Sequence, residues 1–138
     1  MTIIVYRDGV LCSDSSISQG GAVVGTSKKI IKTKDGWLAG AAGNLSDITL
    51  FLNWVSGDRE DLPEYENIGG ILINPKGTVF SIDAKGIPNK VVAKYHAEGS
   101  GMEVALGALE MGATAEQATK IAIKLSVGCG GKIQKLTL

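Results

Sequence analysis

The threonine at position 2, directly behind Met1, is well placed to act as a nucleophile. If Met1 is removed, Thr2 carries a hydroxyl and a free α-amine, which are a nucleophile and a general base within one residue. Such a residue needs no distant histidine to accept the hydroxyl proton. The alternative is an ordinary strand residue near a frayed terminus, since many chains begin with Met-Thr.

The segment that carries Thr2 is predicted to open a β-hairpin. Thr2–Tyr6 is a short β-branched run, Asp8-Gly9 is a turn signal, and Val10–Asp14 returns as the partner strand. This pattern places Thr2 at the free end of a sheet.

The rest of the chain alternates strands with helices. Further strands are predicted at Ala22–Gly25, Lys29–Thr33, Trp37–Ala42, Ile68–Ile73, Val79–Asp83, Lys90–Tyr95 and Lys132–Leu138. Helices are predicted at Ser46–Val55, at Met102–Met111 and from the capping-box sequence Thr114–Gln117. The last helix is expected to bury Ala118, Ile121, Ala122 and Leu125. This order indicates an α+β fold with mostly antiparallel sheets covered by helices.

The composition predicts a single domain over residues 1–138 and argues against several classes of function. The chain has 14 acidic and 14 basic side chains, so it lacks the charge excess that nucleic acid or an anionic membrane would attract. No apolar run approaches the ~20 residues of a membrane span, and the N-terminus does not resemble a signal peptide. We therefore expect a cytoplasmic protein that binds neither nucleic acid nor membrane.

Other reactive side chains form no recognisable motif. Cys12 and Cys129 are too few for a disulfide framework and have no metal-site spacing, and nothing in the sequence brings either to His96. Glycine pairs such as Gly130-Gly131 are not followed by the Gly-Lys-Ser/Thr of a phosphate loop. We expect no metal and no organic cofactor.

Six short motifs occur in an order that resembles the proteasome β-type subunits and their small bacterial and phage-encoded relatives. The motifs are Met1–Val5, Arg7–Ser15, Lys28–Ile31, Gly40–Gly43, Gly99–Gly101, and Ala122–Ser126 with Gly130-Gly131. The resemblance to this branch of the N-terminal-nucleophile hydrolases runs along nearly the whole chain. It implies a four-layer αββα sandwich of two mainly antiparallel sheets, shortened by one helix between the strand groups.

The same resemblance assigns roles to particular residues. Thr2 matches the nucleophile, and Lys29 matches the lysine whose ammonium lowers the pKa of the terminal amine, a catalytic and not a folding role. Gly43 matches the glycine whose N–H forms the oxyanion hole. Asp14 matches the carboxylate beside the lysine, and Ser100 matches the serine near the amine. Simpler explanations stay open: Gly43 and Asp14 also suit turns, and Ser100 also suits a helix N-cap. Lys29 also suits a solvated strand lysine, since Lys28 and Lys29 on one strand must point in opposite directions.

Two positions depart from the family pattern. Ser126 stands where the family typically has an aspartate that belongs to the site, and Cys129 stands where a serine follows. Without that carboxylate, the network that orients the threonine is incomplete, so activity is expected to fall without vanishing. A retained Met1 would also convert the amine of Thr2 into an amide, which is not a base.

The resemblance implies a threonine-type peptidase that acts on peptides or unfolded proteins. Its substrate pocket would be lined by Ile17, Ser27, Ile31, Ala41 and Leu45, which favours apolar side chains. It further implies a homo-oligomeric ring in a bacterial or phage-infected cell, with a possible ATPase partner that the sequence does not identify. Two other functions stay open: a catalytically silent, self-assembling structural or virion-associated protein, and a self-cleaving amidase-like hydrolase of small amides.

Overall fold

Along the chain, a first group of strands is followed by one helix, a second group of strands, two further helices and a last strand. The structure is a computed structural model that describes residues 1–138. The strands are β1 (Ile3–Arg7), β2 (Val10–Ser13), β3 (Ser16–Gln19), β4 (Ala22–Thr26), β5 (Ile30–Lys32), β6 (Leu38–Gly43), β7 (Ile68–Ile73), β8 (Val79–Ile82), β9 (Pro88–Val91), β10 (Tyr95–Gly99) and β11 (Gln134–Thr137). The helices are α1 (Leu45–Ser56), α2 (Met102–Glu110) and α3 (Ala115–Leu125).

All strand pairs are antiparallel, and they form three sheets. The first sheet has four strands in the order β10-β1-β2-β11, and the second has five in the order β5-β6-β7-β8-β9. Strands β3 and β4 form a separate two-stranded hairpin. The first hairpin turns at Asp8 and Gly9, both of which have the positive φ angles that the Asp-Gly signal predicts.

Side-chain alternation along β1 divides the core into layers. Ile3 and Val5 pack against α2 and α3, whereas Ile4 and Tyr6 point the other way, into a cluster between the two large sheets. On the far face of the second sheet, α1 buries its own apolar stripe, centred on the fully buried Phe51. The result is an α+β sandwich with helices outside and two sheets inside, and the predicted fold class is confirmed.

One predicted strand is wrong, and two observed strands, β3 and β10, were not predicted. Lys90–Tyr95 is not a strand: β9 ends at Val91, and β10 begins only at Tyr95. The chain leaves the second sheet between these residues and joins the first, where β10 pairs with β1. The short strand β3 was missed because its residues, Ser16–Gln19, have no apolar alternation.

The buried face of α3 also differs from the expectation. Thr114 and Gln117 form the predicted capping box, with each side chain bonded to the other residue's backbone N–H. Small side chains face the core, so α3 can lie close to the sheet; they are Ala115, Ala118, Thr119 and Ala122. Ile121 and Leu125 are instead 40% and 63% exposed.

None of the three helices combines the length and the apolar character that a membrane crossing requires. The longest, α1, has 12 residues and is buried along one face only. Its first turn carries Asp47, a buried carboxylate that accepts hydrogen bonds from the backbone N–H groups of Glu66 and Asn67, at 3.1 and 2.7 Å. This contact fixes the end of the loop that leads into β7.

We expect Asp47→Ala to lower the free energy of unfolding by about 1–3 kcal/mol, because two backbone donors lose their acceptor. Urea unfolding of the purified protein measures this difference. Asp61→Ala is the matched control, since Asp61 is an exposed acidic residue of the same loop. Equal effects of the two substitutions would show that the Asp47 contacts do not stabilise the fold.

Candidate active site

Asp14 organises the first part of the site from a fully buried position directly after β2. Its Oδ1 accepts hydrogen bonds from the backbone N–H of Ile3 at 3.1 Å and from Lys29 Nζ at 3.0 Å. Its Oδ2 accepts from the backbone N–H of Gly130 at 3.1 Å. Three donors therefore satisfy the buried carboxylate and join the start of β1, the residue before β5 and the loop after α3.

Lys29 points into the protein beside the backbone of Thr2. Lys29 is only 3% exposed, whereas the adjacent Lys28 is exposed. Besides the ion pair with Asp14, Lys29 Nζ donates to the carbonyl oxygen of Met1 at 3.2 Å. That carbonyl is bonded to the nitrogen of Thr2, so the ammonium lies next to the atom that becomes the terminal amine when Met1 is removed.

Thr2 is held from the other side by Ser100. The Thr2 N–H donates to Ser100 Oγ at 3.3 Å, and that hydroxyl in turn donates to the carbonyl oxygen of Thr2, also at 3.3 Å. The preceding Gly99 has a φ of 104°, and a Cβ there would lie 2.2 Å from the Thr2 carbonyl oxygen. Only glycine allows β10 to approach Thr2 this closely.

Gly43 ends β6 on the opposite side of Thr2. The N–H of Ala41 donates to the carbonyl of Lys29, on the β5 side of β6. Because successive N–H groups of a strand alternate in direction, the Gly43 N–H points to the same side, beyond the first residue of β5. Gly43 has a φ of 131°, and a Cβ there would lie 1.9 Å from the Asn67 carbonyl oxygen, so the position requires glycine.

Two clefts meet at Thr2. Both are lined by Met1, Thr2, Gly43 and Asn44. The first, of about 410 Å³, is mostly polar and also includes Glu98 and Ser100. The second, of about 290 Å³, has Lys29 in its wall together with the apolar side chains of Ile17, Leu45 and Ile48.

The structure brings together only some of the residues assigned to the site from the sequence. The clefts are lined by Thr2, Lys29, Gly43 and Ser100, and by Ile17 and Leu45 in the second cleft. Asp14 lines neither cleft but holds the Lys29 ammonium.

The other four residues lie elsewhere. Ser27 lines neither cleft, Ile31 packs against the α1 side of the second sheet, and Ala41 is wholly buried there. The placements of Ile31 and Ala41 follow from strand alternation, which sends alternate side chains to opposite faces of the sheet. Ser126 caps the C-terminus of α3, and its hydroxyl forms no hydrogen bond with the other site residues.

Cys129 occupies a position near the site that the sequence alone did not assign. Its Sγ lies 3.8 Å from Ser100 Oγ. Burial raises the pKa of the Cys129 thiol, chiefly by desolvating the thiolate, so near neutral pH the group is a thiol and a weak nucleophile. Glu98 and the N–H of Gly130 were also missed, because they reach the site through contacts distant in sequence.

A hydroxyl, an ammonium and a carboxylate lie around the backbone of Thr2. No group of three or more His, Cys, Asp or Glu side chains is placed to hold a metal ion. The ammonium of Lys29 lies beside the Thr2 nitrogen, which would be an amine in a chain without Met1. An amine and a hydroxyl on one residue are the groups that a nucleophile and its general base require.

Comparison with known proteins finds similar structures but no similar sequences. Neither the search of protein-family models nor that of curated protein sequences finds a match. The structure of Thiobacillus denitrificans BPH in complex with epoxomicin matches with a TM-score of 0.72 and 19% identity, over 99% of this chain and 97% of that chain. A second structure of Thiobacillus denitrificans BPH gives a TM-score of 0.69 and 20% identity, over 99% and 96% of the two chains. At this identity, the comparison shows a shared fold.

The expectation that Lys29 has a catalytic and not a folding role stays a prediction, and the buried ion pair with Asp14 provides a test of it. We expect Lys29→Met to lower the free energy of unfolding by about 3–5 kcal/mol, since it leaves the carboxylate buried without its counter-ion. Lys28→Met, at the exposed neighbouring lysine, should change it by less than about 0.5 kcal/mol. Urea unfolding compares the two, and similar values would contradict the structural role of the pair.

Proposed function

We propose that this protein is a threonine-type peptidase whose nucleophile is Thr2, exposed after removal of Met1. The observation that carries the proposal is the convergence of the Thr2 nitrogen, the Lys29 ammonium and the Ser100 hydroxyl where two clefts meet. The fold shared with Thiobacillus denitrificans BPH supports it, since that protein binds epoxomicin, a proteasome inhibitor.

In the first step, Thr2 Oγ1 attacks the carbonyl carbon of a peptide bond, and the free amine of Thr2 accepts the hydroxyl proton. Lys29 favours the neutral amine before the attack, because its own positive charge opposes a second charge nearby. Ser100 positions that amine, since its hydroxyl already holds the Thr2 nitrogen. Asp14 acts through Lys29, whose ammonium it holds in place.

In the next steps, the carbonyl oxygen becomes an oxyanion, which the N–H of Gly43 stabilises. Collapse of this intermediate breaks the peptide C–N bond, and the Thr2 ammonium gives its proton to the leaving amine. The acyl group remains as an ester on Oγ1. Water then attacks the ester carbonyl while the Thr2 amine accepts its proton; the bond from the carbonyl carbon to Oγ1 breaks, Oγ1 takes that proton from the amine, and the carboxylic acid product leaves. Ile17 and Leu45 would contact apolar side chains on one side of the cleaved bond.

A second candidate is a catalytically silent structural protein, and it is favoured by Ser126, which supplies no carboxylate and whose hydroxyl forms no hydrogen bond with the other site residues. The Met1 side chain packs against Gly128, and its carbonyl accepts the hydrogen bond from Lys29. In this form the Thr2 nitrogen is an amide that cannot accept a proton. The two candidates differ in whether a chain without Met1 reacts.

We expect an epoxyketone to add covalently only to chains that have lost Met1, because only these have a basic amine beside the hydroxyl. Intact-mass spectrometry separates the two forms in one sample, and peptide mapping locates the adduct. Thr2→Ala should abolish the adduct, whereas Thr49→Ala, which removes an exposed threonine of α1, should not. A processed protein that neither labels nor cleaves any peptide would favour the structural candidate.

We also propose that copies of this chain assemble, with the exposed end of α3 in the interface. Ile121 and Leu125 lie one turn apart on the same face, and Val127 directly beyond the helix is 87% exposed. Several exposed apolar side chains close together in the chain are typical of subunit contacts.

We expect sedimentation velocity at micromolar concentration to show a homo-oligomer that Leu125→Glu dissociates or weakens, because the substitution places a charge in an apolar interface. Val92→Glu is the control, since Val92 is a 92% exposed apolar residue in the turn after β9. A monomeric parent protein would contradict assembly, and equal effects of the two variants would exclude α3 from the interface.

A further inference from the structure

Glu98 lies at the edge of the first sheet with its side chain directed between the two large sheets. In the pairing of β10 with β1, Glu98 is opposite Ile4, and His96 is opposite Tyr6. Side chains of directly opposed residues share a face, and Ile4 and Tyr6 belong to the cluster between the sheets. Glu98 therefore extends toward the second sheet, where the first cleft opens.

Two hydrogen bonds hold one oxygen of this carboxylate. Ser81 Oγ donates to Glu98 Oε1 at 2.9 Å, and His96 Nε2 lies 2.9 Å from the same oxygen. Ser81 belongs to β8, so the contact joins the two large sheets. Because its partners come from two strands, the carboxylate has a fixed position and a fixed orientation.

The second oxygen of the carboxylate is free. Glu98 Oε2 accepts no hydrogen bond from the chain, and it lies near Gly69, where an added Cβ would be 3.6 Å away. Both residues line the first cleft, in which Glu98 is the only charged side chain. The side chain of Glu98 is 20% exposed, so this oxygen is partly shielded from water. A partly desolvated carboxylate oxygen without a partner attracts a cation more strongly than one in open water does.

The two clefts at Thr2 thus differ in charge. The first has a carboxylate and no basic side chain, whereas the second has the Lys29 ammonium and apolar walls. A peptide bound across Thr2 would have room for side chains in both clefts, one on each side of the bond that is cut.

We infer that Glu98 forms a subsite that selects a cationic side chain, lysine or arginine, on the side of the cleaved bond that enters the first cleft. The inference rests on the proposed function, because it takes the ligand to be a peptide. Its chemistry is one charge-assisted hydrogen bond from the ammonium or guanidinium to Glu98 Oε2. Glu98 is a specificity-determining residue in this assignment and takes no part in bond cleavage.

Binding to the Thr2→Ala protein tests the subsite without turnover. Fluorescein-labelled alanine-based peptides carry one lysine at successive positions, and matched peptides carry norleucine, which is lysine without its ammonium. Fluorescence anisotropy should show about tenfold tighter binding of a lysine peptide than of its norleucine partner at one position or more, as expected for a hydrogen bond to a charged group.

The Glu98→Gln substitution, added to Thr2→Ala, should remove this preference while keeping an oxygen for Ser81 and His96. Glu103→Gln is the matched control, because it removes the same charge from an exposed residue of α2, and it should keep the preference. Added salt should also reduce the preference for lysine peptides in the Thr2→Ala protein. This measurement does not depend on whether the Glu98→Gln variant folds.

Equal affinities for lysine and norleucine peptides at every position, or no detectable binding of any lysine peptide, would overturn the inference. A preference that persists in Glu98→Gln would overturn it as well. Hydrolysis of the same peptides by the Met1-free parent protein is measured separately. Lysine-selective binding without hydrolysis would support the Glu98 subsite and contradict the proposed peptidase activity. Hydrolysis without lysine selectivity would support the peptidase activity and contradict the subsite.

Discussion

The site depends on the hydrogen bonds and the ion pair that the buried carboxylate of Asp14 forms. A fully buried charge is costly unless it is paired and hydrogen-bonded, and Asp14 meets this condition through Ile3, Lys29 and Gly130. Each donor comes from a different segment of the chain. The need to satisfy one charge therefore holds the start of β1, the residue before β5 and the loop after α3 at fixed positions. Thr2 lies directly before the first of these contacts, so its backbone is positioned by the same carboxylate.

Antiparallel pairing explains why so many candidate residues meet at one edge of the sandwich. Thr2 precedes β1, and Asp14 and Ser100 follow β2 and β10, the two strands that pair with β1. In the second sheet, Lys29 precedes β5, and Gly43 ends its partner β6. The start of a strand adjoins the end of its antiparallel neighbour. Stacking of the two sheets then brings both sets of strand ends together, with glycines where the backbones approach most closely.

The same edge is chemically asymmetric. Lys29 places positive charge on one side of Thr2, and Glu98 places negative charge on the other, held by Ser81 from the opposite sheet. Ser126 lies outside this network and leaves no carboxylate near the end of α3, while Cys129 contacts Ser100 as a thiol. The charged side chains at this edge are the Asp14–Lys29 pair, beside the backbone of Thr2, and Glu98, which faces the first cleft.

The sequence by itself determined the features that depend on neighbouring residues: the first hairpin with its Asp-Gly turn, the capping box at Thr114, and the α+β order of elements. It also predicted the positions that gather around Thr2, through short motifs in a family-like order. Only the tertiary structure decided which of Lys28 and Lys29 points inward, which face of α3 is buried, and that Glu98 reaches the cleft. These outcomes depend on contacts between residues far apart in the chain, as with Asp14 and Gly130, which are 116 positions apart. Local periodicity cannot specify such contacts, because packing between sheets selects the face of each element.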